Sequence, residues 1–378
     1  MKNAIKLVSV TAALALAGCC SLFGNDYPET IDEGFVALED EAALRGAIAA
    51  GGDMTIRYEF LTDAPFGGPG VLPAKSDNVN KQIWGKDKNF AGKGSYVRKP
   101  GMWNFSEVKI AGGKLEVWIN GYLVTRADKV TPLTKWVGFQ GMEKYKNIRM
   151  KAGSATDGGS VAPGPLAKDF EVYFNGDPAQ LKTMWKGVTT EGKFDNPIVR
   201  QAAGKEERAA MQVIADQGRD AHWSVIDGVL HFDGFKGGYS LATKKDYGDF
   251  ELWADWRIMS ITGDSGLYLR GSPQVQIWDA HHQWHIGSGG LYNNNTDKTG
   301  NPRHALKIAD KQVGDWNRFH VIMRGEKVTV WLNGELVVDD VTLENYWDRS
   351  KPIFPVEQIE LQCHGDPTEW KNIYIREL

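Results

Sequence analysis

Cysteine is scarce. Of three in 378 residues, Cys19 and Cys20 are adjacent near the N-terminus and Cys363 stands alone, so no disulfide framework can staple the folded part. Basic excess is missing too. Lys and Arg number 44 against 48 Asp and Glu, a formal charge of -4, whereas a phosphate-backbone partner shows itself as basic excess, so nucleic acid is not an expected partner. No histidine precedes His222 although the chain has eight, which confines imidazole chemistry to the C-terminal part. The N-terminal apolar run, residues 7–18, falls short of the roughly 20 residues of a membrane span. What the chain has instead is 43 Gly and 14 Trp. That combination suits β-rich carbohydrate binders, in which Gly turns separate strands and indole faces stack on sugars.

The short apolar run follows Lys2 and Lys6 and reads as a signal peptide. Leu16-Ala17-Gly18-Cys19 matches a bacterial lipobox, with Cys19 as the lipidated residue, and no acidic run follows it. The expected product is a membrane-anchored lipoprotein facing the periplasm.

The chain repeats itself. Gly101-Met102-Trp103-Asn104 and Lys114-Leu115-Glu116-Val117-Trp118-Ile119-Asn120-Gly121 recur as Gly314-Asp315-Trp316-Asn317 and Lys327-Val328-Thr329-Val330-Trp331-Leu332-Asn333-Gly334. Gln82-Ile83-Trp84 returns as Gln276-Ile277-Trp278, and Lys146-Asn147-Ile148 as Lys371-Asn372-Ile373. A small, polar, Pro/Gly-rich stretch between the copies has nothing to bury and reads as a linker. The expected organisation is a signal peptide (1–18), a tether (19–33), a first copy (34–152), a linker (153–167) and a second copy (168–378).

Apolar and polar residues alternate through both copies, and Asn120-Gly121 and Asn333-Gly334 are hairpin signals. Helical periodicity is limited to residues 39–50 and 206–215. The expected fold is all-β, two tandem jelly-roll sandwiches of antiparallel sheets. In the second copy the alternation collects polar residues on one face: Tyr268 and Arg270 from one strand, Gln276 and Trp278 from the next, and Glu360, Gln362 and His364 from a third. Asp255 is expected to join them, and Asp279 to sit at the mouth of the loop after Trp278. Amides, an arginine, carboxylates, an imidazole and an indole together can orient hydroxyls and stack a sugar ring.

At this point the chain resembles the 3-keto-disaccharide hydrolase family, whose fold is concanavalin-like. The resemblance is carried by Tyr247-Gly248-Asp249-Phe250-Glu251-Leu252, Asp264-Ser265-Gly266-Leu267-Tyr268-Leu269-Arg270-Gly271, Val275-Gln276-Ile277-Trp278-Asp279, residues 316–334 and Trp370-Lys371-Asn372-Ile373-Tyr374-Ile375-Arg376. It covers residues 168–378 well and the first copy loosely. Gln274 departs from the Glu seen in relatives, so no carboxylate role is carried to it. The resemblance implies cleavage of glycosides already oxidised to a ketone at C3, by elimination or hydrolysis. With no phosphate loop or GxGxxG in the chain, a separate oxidoreductase has to supply that substrate and no organic cofactor is expected.

A C3 ketone acidifies the C2 proton, so cleavage needs a modest base, a cation or donor beside the enediolate and a weak acid at the leaving oxygen. Arg270, always protonated, suits the oxyanion. His364 titrates near neutrality, with Asp279 or Glu360 as its partner or as the second proton carrier. These four are the catalytic candidates, with Asp255, Tyr268, Gln276, Trp278 and Gln362 as substrate-binding candidates. Asp279, His281, His282 and His285 form a weaker constellation suited to a divalent metal. Ser265 lacks the surroundings of a nucleophile and is expected in a turn. The first copy has Gly85 where Asp279 stands and Gly138 where Glu360 stands, so it is expected to be non-catalytic, structural or sugar-binding through residues such as Trp84. The alternative for the whole chain is a lectin-like lipoprotein that binds glycans without turnover. A paired-carboxylate glycosidase is disfavoured because the Glu-x-Asp-x-x-Glu strand is missing.

Overall fold

The computed structural model describes residues 35–40, 43–44, 52–61, 98–127, 144–153, 169–281, 286–295 and 303–378. Cys19, the linker after Gly153, most of the expected helix at 39–50, and Trp84, Gly85 and Gly138 lie outside the described residues.

The N-terminal module is an antiparallel sheet of β1 (Val36–Ala37), β2 (Met54–Leu61), β3 (Asn104–Ala111), β4 (Lys114–Ile119), β5 (Tyr122–Ala127) and β6 (Lys144–Ala152), in the order β1-β6-β2-β3-β4-β5. The C-terminal module has the strands β7 (Glu171–Phe174), β8 (Trp185–Gly187), β9 (Trp223–Ile226), β10 (Val229–Phe232), β11 (Leu241–Thr243), β12 (Phe250–Ile258), β13 (Asp264–Leu269), β14 (Ser272–Trp278), β15 (Asn317–Arg324), β16 (Lys327–Leu332), β17 (Glu335–Thr342), β18 (Glu360–Leu361) and β19 (Thr368–Glu377). They form an eight-stranded sheet, β17-β16-β15-β12-β19-β10-β9 with β7 beside β19, and a five-stranded sheet, β14-β13-β18-β11-β8. Inward-facing residues of both sheets, such as Leu252, Ala254 and Val321 from one and Leu267, Val275 and Leu361 from the other, share one core. This is the all-β jelly-roll sandwich.

The repeated Asn residues have a common structural reason. Asn333 and Gly334 take φ of 53° and 82°, and Asn120 and Gly121 of 47° and 84°, which a two-residue hairpin of primed type requires. The Asn333 amide then reaches back to Asn317 Oδ1 at 2.8 Å, and Asn120 to Asn104 Oδ1 at 2.7 Å. Each also caps the neighbouring strand, accepting from Arg318 N and from Phe105 N at 2.9 Å. Four of the tryptophans, Trp185, Trp256, Trp316 and Trp370, are wholly buried, so they serve the core and not a sugar. The helix expected at 206–215 is longer, Lys205–His222, and packs on β8.

The modules meet through polar and glycine contacts. Arg98 donates to both carboxylate oxygens of Asp279 at 2.7 and 2.8 Å, fully buried. Arg149 does the same to Asp315 at 2.6 and 2.7 Å. A Cβ on Gly121 would come within 2.5 Å of the Met259 backbone, so this residue is fixed as glycine by its neighbour as well as by its φ.

Candidate active site

Registers across the five-stranded sheet order its outward face into rows. Lys186 pairs with Ala242, Ala242 with Glu360, and Glu360 with Tyr268. In the next row the Gln362 backbone bonds to Gly266, and Gly266 pairs with Gln276. In the third row His364 approaches Asp264, which pairs with Trp278. Gly266 has no side chain for a reason: a Cβ there would lie 3.1 Å from the amides of Gln274 and Gln362.

Hydrogen bonds lock most of this face and leave two buried acceptors unpaired. Gln274 donates to Gln276, and Gln276 Nε2 donates to Asp264 Oδ1 at 2.7 Å. Asp264 Oδ2 is 3.6 Å from His364 Nδ1. Thus a line of amides braces the carboxylate that faces the imidazole. The His364 side chain is 57% exposed, which places it at the mouth. Glu360 lies at the buried end, its Oε1 accepting from Gln358 Nε2 at 2.6 Å. Gln362 Nε2 donates to the Tyr268 hydroxyl oxygen at 3.2 Å. Glu360 Oε2 and Gln362 Oε1 are buried and have no partner within the protein. Two such acceptors on one face suit the hydroxyl donors of a polyol.

Burial, only partly offset by the Arg200 charge and the Gln358 hydrogen bond, pushes Glu360 up to about 7. Burial also raises Asp264, with His364 pulling the other way, and raises Tyr268, which stays a neutral donor. Lys186 is lowered by burial. It lines a cavity of about 160 Å³ with Phe194, Arg200, Met211, Gln212 and Gln358 between β8 and the Lys205–His222 helix.

Several expected site residues are elsewhere. Asp255 is on β12, in the other sheet, where it accepts from Arg318 at 2.6 and 2.9 Å and from Asn372 at 2.7 Å. Glu59 holds Asn147 in the same way in the first module, so Asp255 belongs to the scaffold both modules share. Arg270 does not share the Tyr268 face. Its φ of 47° at the β13–β14 turn rotates it out of the strand alternation, and its guanidinium donates to the carbonyls of Pro355 and Gly325. Asp279 begins the loop after β14, as expected, but it is buried there and Arg98 takes its carboxylate. Trp278 is on the polar face but buried, its indole donating to the Ile286 carbonyl at 2.6 Å. Ser265 lies within β13 and donates to Gln362 O at 2.8 Å. Cys363 is buried in the core, where burial pushes its thiol up to about 11.

Of the metal candidates, Asp279 is paired with Arg98 and His281 Nε2 lies 3.0 Å from the Asp310 carbonyl, while His282 and His285 lie outside the described residues. Among the described residues no three His, Cys, Asp or Glu side chains form a group that could hold a metal ion. Asp310 itself is half-buried, with Ser288 N on Oδ2 at 2.9 Å and a buried Oδ1 that has no partner within the protein. Burial first, and the Asp279 charge in addition, push it up to about 7. A carboxyl raised by folding stabilises fully below its unfolded value and loses that contribution as pH rises through the folded one. Denaturant unfolding should therefore show stability falling between about pH 4 and 7, by on the order of a few kcal/mol. Asp310→Asn should remove much of that slope.

Sequence reasoning missed Asp264, Lys186 and Gln358. Asp264 was within reach of the same alternation that gave Tyr268, two positions beyond Gly266. Lys186 gave no such signal, because β8 has only three residues.

An antiparallel sandwich with a polar sheet face and unpaired buried acceptors suits a carbohydrate-active β-sandwich protein. Residues 169–376 match the family model of the 3-keto-alpha-glucoside-1,2-lyase-like domain, and the chain belongs to that family. Solved structures similar to it include two proposed glycosyl hydrolases from Parabacteroides distasonis. One is 25% identical over 42% of this chain and 91% of its own, with a TM-score of 0.33, and the other 20% identical over 56% and 96%, with 0.38. A carbohydrate binding module from Bacillus subtilis is 12% identical over 39% and 86%, with 0.26. No curated protein matches the chain.

Proposed function

We propose that the polar face of the five-stranded sheet cleaves 3-keto-glycosides by elimination across C1 and C2. The observation that carries this reading is a pair of proton carriers four residues apart: a buried carboxyl at about 7, Glu360 on β18, and, past the end of that strand, an imidazole 3.6 Å from the Asp264 carboxylate, His364. Gln362 lies between them, its backbone bonded to Gly266 in the row shared with Gln276.

Glu360, as the carboxylate, takes the C2 proton that the C3 ketone acidifies. The C2–H electron pair forms the C2=C3 bond and the ketone oxygen becomes an enediolate. The ketone then reforms, a C1=C2 bond forms, the C1–O bond breaks, and the leaving oxygen takes a proton from His364 at the mouth, where an aglycone has room. Water added to the unsaturated sugar would complete a net hydrolysis. Tyr268 and Gln362 position ring hydroxyls. The electron pair stays within the sugar, so the step consumes no organic redox cofactor, and a separate oxidoreductase supplies the ketone. Anchored at Cys19, the enzyme would meet its substrate in the periplasm.

The test is aglycone release from a 3-keto-glucoside and from its parent glucoside. Release from the keto form alone supports this reading. Binding of either sugar without release supports a lectin.

A further inference from the structure

Enediolate formation leaves charge on the sugar oxygen at C3, and a buried site must answer it with a cation or a strong donor. Arg270 is committed to two backbone carbonyls. Arg200 is bound to Glu357 and the Phe194 carbonyl, and Arg208 to the carbonyls of Gln201 and Ala203. We infer that Lys186 is the catalytic cation, its ammonium donating to the C3 oxygen of a keto sugar seated between it and Glu360. This rests on the elimination reading above.

The placement follows from the register. Trp185 is wholly buried in the core, so Lys186, next along β8, points to the opposite face, the one that carries Glu360. Only Ala242 separates the two in the sheet. Two strand spacings of about 4.8 Å put their Cα atoms about 10 Å apart, and Ala242 between them carries only a methyl. A carboxylate at C2 and an ammonium at the adjacent C3 oxygen would then flank neighbouring atoms of one ring. Lys186 also lines the same cavity as Gln358, the residue that holds Glu360. Burial and the Arg200 charge lower it, while the carboxylates of Asp246, Glu357 and Glu360 act through space in the opposite direction.

The test uses the full chain and a 3-keto-glucoside. Lys186→Ala should lower kcat about 10²- to 10³-fold with KM little changed, and methylammonium should restore part of the loss. Lys186→Met, which keeps the methylene packing, should be equally slow with an unfolding midpoint like the wild type and no rescue. If the wild type turns over the keto sugar and Lys186→Met keeps full kcat, the assignment of Lys186 is overturned while the elimination reading stands. If the wild type leaves the keto sugar intact, both fall.

Discussion

Glu360→Gln should leave a folded protein that no longer cleaves a 3-keto-glucoside. Removal of a positioned base typically costs 10²- to 10⁴-fold, and here the loss should lie near the upper end because no other carboxylate is paired onto its row of the sheet. The replacement is close to isosteric, and Gln358 Nε2 can still donate to the new amide oxygen across the present 2.6 Å contact. The pH profile gives a second readout. In the wild type, kcat/KM should climb with pH through about 7 as the buried carboxyl ionises. In Glu360→Gln the residual rate should lack that limb. Stability should move the other way. A buried carboxyl raised by folding weakens the native state above its folded pKa, so the variant should be more stable than wild type at pH 8. Lower activity with higher stability is the pattern expected where a site stores an unsatisfied group.

Arg98→Met should have the largest effect on stability. Asp279 and Arg98 are both essentially without solvent contact and share two hydrogen bonds. Removing one partner of such a pair typically costs about 3–5 kcal/mol, because the other charge stays buried. The double variant Arg98→Met/Asp279→Leu should recover much of the loss, since it removes both desolvated charges. Denaturant unfolding of the four proteins in the cycle checks this. The effect should reach the site, because Asp279 directly follows Trp278, which pairs with Asp264 in the His364 row. Arg98→Met should therefore also slow turnover, although Arg98 belongs to the other module.

The strand parity was legible in the sequence. The split of Ile359, Leu361 and Cys363 from Glu360 and Gln362 follows from period two, and the structure puts the first set in the core. The hairpins follow from Asn-Gly. Asp255 was misplaced because alternation tells which side of a strand a residue faces but not which sheet the strand joins. The repeat held a warning, since both modules put an acid, Glu59 or Asp255, under a left-handed Asn. Arg270 was lost to a backbone angle at a turn, which no periodicity reports. Asp279 was lost to a partner 181 positions away in the chain. Lys186 was invisible because a three-residue strand gives no pattern and its meaning comes only from its register with Ala242 and Glu360.

Proton abstraction at C2 by the Glu360 end of the polar face is tested most directly with a 3-keto-glucoside deuterated at C2. Elimination predicts that aglycone release slows by a primary isotope effect and that the deuterium is lost to water. Release at an unchanged rate, with the deuterium retained in the sugar product, would contradict it.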